Sequence, residues 1–217
     1  MERHGIGMYF VNESEMLRAF VATVERYLPH GSRLLEVGYG PGTLGIYLSR
    51  YGYKVLCVDM DQDVIELGKH TNKRLGGAAD FKVCDLFAID RIFGPDNFDA
   101  VISCVTLEHF SDQDIVEAVR KQLIVANINI FAVHCSNVRP DVIPHLDGGE
   151  RLLEPSYWKG LIRKAGGIVI DRFGYGFKYG RMGGWNWRIH TVVESVFFRK
   201  FARFAANTGF VVGRAER

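Results

Sequence analysis

The chain has 217 residues, 47% of them hydrophobic, a mean hydropathy of −0.01 and a formal net charge of +2. That fits one α/β domain with its own core, and no apolar run approaches the ~20 residues that would span a bilayer. The opening Met1-Glu-Arg-His-Gly5 lacks the apolar stretch of a secretory signal, so a cytoplasmic protein without an integral membrane segment is expected.

Asn12 or Ser14 can cap a first amphipathic helix over 12–28, in which Met16, Leu17, Phe20, Val21, Val24, Tyr27 and Leu28 recur at helical spacing. Residues 1–30 thus read as an N-terminal helical extension of a single domain over 1–217. A first strand is expected at 33–37, then a glycine-rich turn and a helix carrying Leu44, Ile46 and Leu48. Lys54–Val58 reads as the second strand. Asp61 or Asp63 starts a helix that Gly76-Gly77 stops. Asp80–Cys84 is a short third strand, Phe98–Cys104 a fourth, and Ser111 with Asp114 opens the next helix as a capping-box-like pair. Asn127–Val133 is the fifth strand, followed by a helix near 156–165, a sixth strand over Gly167–Phe173, a long helix near 189–206 and a last strand over Gly209–Gly213. Strands alternating with helices predict a parallel sheet covered on both faces.

Cys57, Cys84, Cys104 and Cys135 show no CxxC spacing and mostly sit in apolar runs. They read as buried thiols in a reducing compartment, with no metal site. Residues 151–203 hold eleven Lys or Arg against three Asp or Glu. That suits an anionic ligand near the C-terminal third or a solvated basic face.

The segment Leu34-Leu-Glu-Val-Gly-Tyr-Gly-Pro-Gly-Thr-Leu-Gly45 runs a strand into a glycine turn and a helix start, where backbone N–H groups can face a ligand. Gly40–Gly45 spells the GxGxxG of dinucleotide sites. The strand, however, ends at Gly38, and counting from there places Thr43 where the third glycine belongs. Glu36 would also set a negative charge beside a pyrophosphate.

The Glu-Val-Gly-Tyr-Gly-Pro-Gly run instead resembles the first motif of class I S-adenosylmethionine-dependent methyltransferases of the small-molecule type. Val58-Asp59-Met60, Cys84-Asp85-Leu86 and Phe98–Phe110 resemble the family's second, third and fourth strand ends. The resemblance covers roughly residues 30–135 well and the rest in outline. It implies a Rossmann-like, doubly wound, seven-stranded α/β sheet, mostly parallel with an antiparallel last strand. It implies S-adenosylmethionine as cofactor, held by Glu36, Gly38, Gly40, Gly42, Asp59, Met60, Asp85, Leu86 and Cys104. Asp59 would accept from the ribose hydroxyls and Asp85 from the adenine amine, with Met60 and Leu86 sandwiching the ring. Glu36 would face the cationic end.

His109, just past the fourth strand with Glu108 beside it, is the candidate general base; packing or loop anchoring is the competing reading. His134 and His145 are further candidates to face the substrate. Residues 174–188, with five aromatics and three basic side chains among glycines, form a candidate substrate cover that suits an aromatic or anionic acceptor. The last helix carries an apolar stripe that a sheet, a partner or a membrane surface could meet.

Three departures from the family pattern stand out. The Pro-Gly-Gly turn before strand five is missing, with Val125-Ala-Asn-Ile-Asn129 in its place. An Asn-Pro-Pro-Tyr motif after strand four is absent, which argues against methylation of nucleobase amines and against a nucleic-acid partner. Tyr39 is bulkier than usual and is expected to narrow the cofactor entrance. The expected function is in-line methyl transfer to a small-molecule acceptor. The alternatives are an NAD(P)-dependent oxidoreductase and a non-catalytic methyltransferase-like partner or activator protein.

Overall fold

A computed structural model describes residues 18–40, 43–136, 149–175, 197–200, 202, 205 and 207–215. Seven strands form one sheet: β1 Arg33–Val37, β2 Lys54–Asp59, β3 Asp80–Val83, β4 Ala100–Cys104, β5 Ile128–His134, β6 Gly167–Tyr175 and β7 Asn207–Arg214. Their order is β3-β2-β1-β4-β5-β7-β6. The first five pair in parallel, and β7 inserts antiparallel between β5 and β6. The doubly wound α/β sheet, mostly parallel with an antiparallel last strand, is therefore as expected.

Six helices are described: α1 Arg18–Tyr27, α2 Leu44–Arg50, α3 Gln62–Leu75, α4 Ile89–Phe93, α5 Asp112–Val125 and α6 Pro155–Lys164. Alternation along β5 decides which side each helix covers. Ile130 and Ala132 pack with Phe20 and Val24 of α1 and with Leu44 and Leu48 of α2. Phe131 and Val133 pack with Ile115 and Val119 of α5 and with Trp158 and Leu161 of α6. Both faces of β5 are buried, so its sequence reads as a nearly unbroken apolar run.

Caps set the helix ends as their residues dictate. Asp61 accepts from the Asp63 N–H at 2.8 Å to open α3, and Gly76, at φ 64°, closes it in the left-handed region where glycine carries no Cβ penalty. Ser111 accepts from the Asp114 N–H and donates its own hydroxyl proton to the Asp114 carboxylate. Helix α4 and two short 3-10 turns, Leu86–Ala88 and Leu107–His109, were not foreseen; pieces this short carry no readable hydrophobic period. The start of the first predicted helix, most of the 174–188 stretch and most of the last predicted helix lie outside the described residues.

Chain order places β1 and β4 side by side, where the winding reverses direction. In such sheets the loops leaving the carboxyl ends of these two strands part, and a crevice opens between them.

Candidate functional site

A cleft of about 390 Å³ lies at that reversal, along the carboxyl ends of β1 to β4. Gly38 ends β1 at φ 61°. A Cβ there would stand 2.2 Å from Thr106 Cγ2, so only glycine lets the turn pass the segment after β4. The Thr106 hydroxyl donates to the Gly38 carbonyl at 3.2 Å and fixes the approach.

Asp59 caps the end of β2. Its Oδ2 accepts from the Gly40 N–H at 3.0 Å and its Oδ1 from the Asp61 N–H at 3.1 Å. A carboxylate offers about four lone-pair sites, so each oxygen keeps one for a ligand. Asp59 is thus a pre-oriented, two-pronged acceptor suited to a vicinal diol. Met60 follows it onto the cleft wall at 77% exposure, an apolar side chain that a bound ring would cover.

Leu86 is buried on the facing side of the cleft, and Phe87 lies next to it. Asp85 is exposed there. Its Oδ1 accepts from the Phe87 N–H at 2.8 Å and caps the short turn, while Oδ2 makes no hydrogen bond among the described residues. His109 and Phe110 complete the wall below β4, with Phe110 edge-on to Phe87 at 5.4 Å.

The structure brings Gly38, Asp59, Met60, Asp85, Leu86 and His109 together on one cleft. Gly40 reaches it through the bond to Asp59. Gly42 lies outside the described residues.

Two other predicted residues stand elsewhere. Glu36 is 97% buried beneath the turn: its Oε2 accepts from the Gly45 N–H at 3.0 Å and the Cys57 thiol at 3.3 Å. It steadies the start of α2 rather than facing the cleft, and burial pushes its carboxyl up to about 7. Cys104 turns to the other face of the sheet, 3.1 Å from the Tyr175 hydroxyl. Tyr39 does not narrow the entrance: it is buried edge-on against Phe81 and packs over Gly68.

Sequence reasoning missed Val105. This β-branched residue sits at φ 55° on the cleft wall, a conformation usually left to glycine or asparagine. Its N–H donates to the Ala132 carbonyl at 2.8 Å, which anchors the bend. Nothing in the local sequence announces it, because valine after a strand reads as more strand. A wider depression of about 790 Å³ lies at the opposite edge of the sheet. Its arginines, Arg120 and Arg214, are already paired with Glu117 and Asp96.

A family profile described as "Methyltransferase domain" matches residues 34–126, the span from β1 to the end of α5. No curated protein matches the chain by sequence. Among solved structures, magnesium protoporphyrin IX methyltransferase (ChlM) from Synechocystis PCC 6803, with bound SAH, superposes with a TM-score of 0.68 at 14% identity, covering 94% of this chain and 84% of that one. An S-adenosylmethionine-dependent methyltransferase from Clostridium acetobutylicum superposes at 0.66 and 10% identity, with 94% and 92% covered. The [4+2]-cyclase SpnF superposes at 0.67 and 17% identity, with 92% and 81% covered. Residues 34–126 therefore match a methyltransferase-domain profile, and the chain shares its fold with these solved structures.

Proposed function

We propose that this chain transfers a methyl group from S-adenosylmethionine to a small-molecule acceptor. The observation that carries the reading is Asp59, held at both oxygens by backbone N–H groups and still offering lone pairs to a cleft that begins at Gly38. The donor set fits a nucleoside: a fixed carboxylate for the two ribose hydroxyls, apolar Met60 and Leu86 for the flat base, and Asp85 Oδ2 for an amine. Gly38 and Gly40 let the backbone approach the remainder of the molecule. When bound, the cofactor supplies an electrophilic methyl carbon whose bond to sulfur breaks as the acceptor attacks in line.

The chain's own task is to hold the two reactants in register, keep water out and accept a proton if the acceptor arrives protonated. His109 on the cleft wall is the candidate for that proton. Buried cysteines such as Cys57 and Cys84 suit a reducing compartment such as the cytoplasm. No helix among the described residues is long and apolar enough to cross a membrane.

Calorimetric titration with S-adenosylhomocysteine and, separately, with NAD⁺ tests the cofactor. Binding of the nucleoside thioether alone is expected, and binding of NAD⁺ alone would replace this reading with the oxidoreductase one. The similarity to a cyclase shows that this fold also hosts other chemistry. Thioether binding without label transfer from methyl-labelled cofactor to any of a broad acceptor panel would favour a non-transferring protein of the same architecture.

A further inference from the structure

The turn that brings His109 and Phe110 to the cleft wall is weakly held by its own backbone. The His109 N–H reaches the Thr106 carbonyl only at 3.4 Å, and the Phe110 N–H reaches the Leu107 carbonyl at 3.2 Å. Both are long for N–H···O bonds, as the tight 3-10 geometry dictates. Support therefore comes from outside the turn. Glu108 points inward, and its Oε1 accepts from the His134 N–H at the end of β5 at 2.8 Å. The outer side is held by one residue, Arg151.

Arg151 grips the turn twice. Its backbone N–H donates to the Glu108 carbonyl at 3.0 Å, and its Nη1 donates to the Phe110 carbonyl at 3.0 Å. Its Nη2 lies 2.7 Å from Oδ1 of Asp112, the first residue of α5. Oδ2 of Asp112 accepts from the hydroxyl of Tyr157, in the first turn of α6. Tyr157 and Arg151 together hold the Asp112 carboxyl below its ordinary value. A guanidinium presents its nitrogens in a fixed planar fork, so it can hold a carbonyl and a carboxylate two residues apart at the same time.

The same residue belongs to a strap along the carboxyl edge. The Leu153 N–H donates to the Arg151 carbonyl at 2.8 Å, and the Leu153 carbonyl accepts from the Ser136 N–H, just past β5, at 3.3 Å. The Leu153 side chain packs against the core cluster that holds Ile115 and Trp158. Residues 151–153 thus join the end of β5 to the turn after β4, which forms one wall of the cleft.

Resting on the methyltransferase reading above, we propose that Arg151 is a positioning residue for the cofactor: a clamp that fixes the Phe110 wall and couples occupancy of the cleft to docking of residues 150–154. Arg151 does not line the cleft and acts through Phe110. A nucleoside binds more tightly to a wall that is already placed, because less ordering is left for binding to supply. By linkage, a bound nucleoside holds the wall and, through it, the clamp. The Arg151 and Asp112 side chains are 34% and 38% exposed, so solvent screening makes the effect moderate.

Calorimetry with S-adenosylhomocysteine on the full chain tests the clamp, at a temperature where each variant is folded by circular dichroism. Arg151→Met keeps an apolar stem and removes the fork, and its Kd should rise about fivefold or more. Asp112→Asn removes the ion pair but leaves an oxygen for Tyr157, and its Kd should rise about threefold. In the double variant the two losses should fall short of their sum, as for members of one network. Hydrogen exchange read by mass spectrometry supplies a measurement that a merely structural arginine would not move. Saturating thioether should slow exchange over residues 150–154 in the wild type, and the slowing should be lost in Arg151→Met. Unchanged affinity in Arg151→Met, or wild-type exchange over 150–154 that the thioether leaves unaltered, overturns the clamp and leaves the cofactor reading in place. If Arg151→Met does not fold, Asp112→Asn and the wild-type exchange decide by the same criteria. If the wild type itself does not bind the thioether, the cofactor reading falls and the clamp falls with it.

Discussion

The carboxyl edge of this sheet is built in two opposite ways. Along β2 and β3, Asp59 and Asp85 stand at the mouth of the cleft and are steadied by backbone N–H groups. Beneath β1 and beyond β4, Glu36 and Glu108 are shut away from water, and burial drives both carboxyls to about 7. One kind of side chain thus serves as an open acceptor where water reaches it and as an internal brace for backbone N–H groups where water does not. Exposure decides between the two roles, because the charged form is penalised only where solvation is lost.

The strongest way to break that contrast is Asp59→Ala. If the open carboxylates serve the ligand, the variant should lose about 3 kcal/mol or more of S-adenosylhomocysteine binding, a hundredfold or larger rise in Kd by calorimetry. Stability should fall by only about 1 kcal/mol, since two N–H groups near water lose an acceptor. Unchanged affinity, or a fall in Tm without a fall in affinity, would place Asp59 with the structural carboxylates.

The two regions meet where Gly38 passes Thr106, and Gly38→Ala tests how tightly. The new Cβ would fall 2.2 Å from Thr106 Cγ2 on a backbone at φ 61°. Overpacking and the left-handed conformation together should cost about 2–4 kcal/mol of unfolding free energy in urea. Adding Thr106→Ala should restore the part due to the clash and leave the part due to φ. Full stability in the single variant would mean that the turn is looser than described.

Much of the open region was legible in the sequence. Strand ends, glycines and acids announce themselves by position, so Gly38, Asp59, Met60, Asp85, Leu86 and His109 could be placed on one edge before any coordinates. The closed region was not legible. Glu36 lies one residue before Val37 at the end of β1, and only three-dimensional packing shows it aimed at the Gly45 N–H rather than at the cleft. Glu108 and His109 are neighbours in sequence, yet the 3-10 turn sends one inward and the other to the cleft wall. That divergence depends on a short turn with no period to read, and the partner of Glu108 lies on another strand. Val105 escaped for a related reason: its φ is imposed by the bond to Ala132, not by its own preference.

Glu36→Gln sharpens the closed half. The unfolded carboxyl titrates near its ordinary 4.5, the folded one near about 7. Between those values the folded state binds more protons, so the Glu36 contribution to stability falls as pH rises through the window and stays low above it. Glutamine has no proton to lose and keeps an oxygen for the Gly45 N–H. Relative to wild type, the variant should therefore gain about 2 kcal/mol between about pH 5 and pH 8, read as a difference in unfolding free energy. The His134 ring, held down near about 4, contributes a slope of the opposite sign below its ordinary 6.5, and it cancels when the two proteins are compared at each pH. A constant difference across the range would mean that Glu36 is ionised in the folded protein.

The smallest effect comes from the rim of the open half. Met60 is 77% exposed, so Met60→Ser removes almost nothing from the core, and the unfolding free energy should move by less than about 0.5 kcal/mol. If a nucleoside base covers it, the same change strips apolar contact from the complex alone and should weaken thioether binding by about 1 kcal/mol, roughly fivefold. The corresponding change at Leu86, which is 8% exposed, should lower both stability and affinity, because that side chain belongs to the core and to the cleft wall at once. Equal behaviour of the two variants would show that the base does not lie between them.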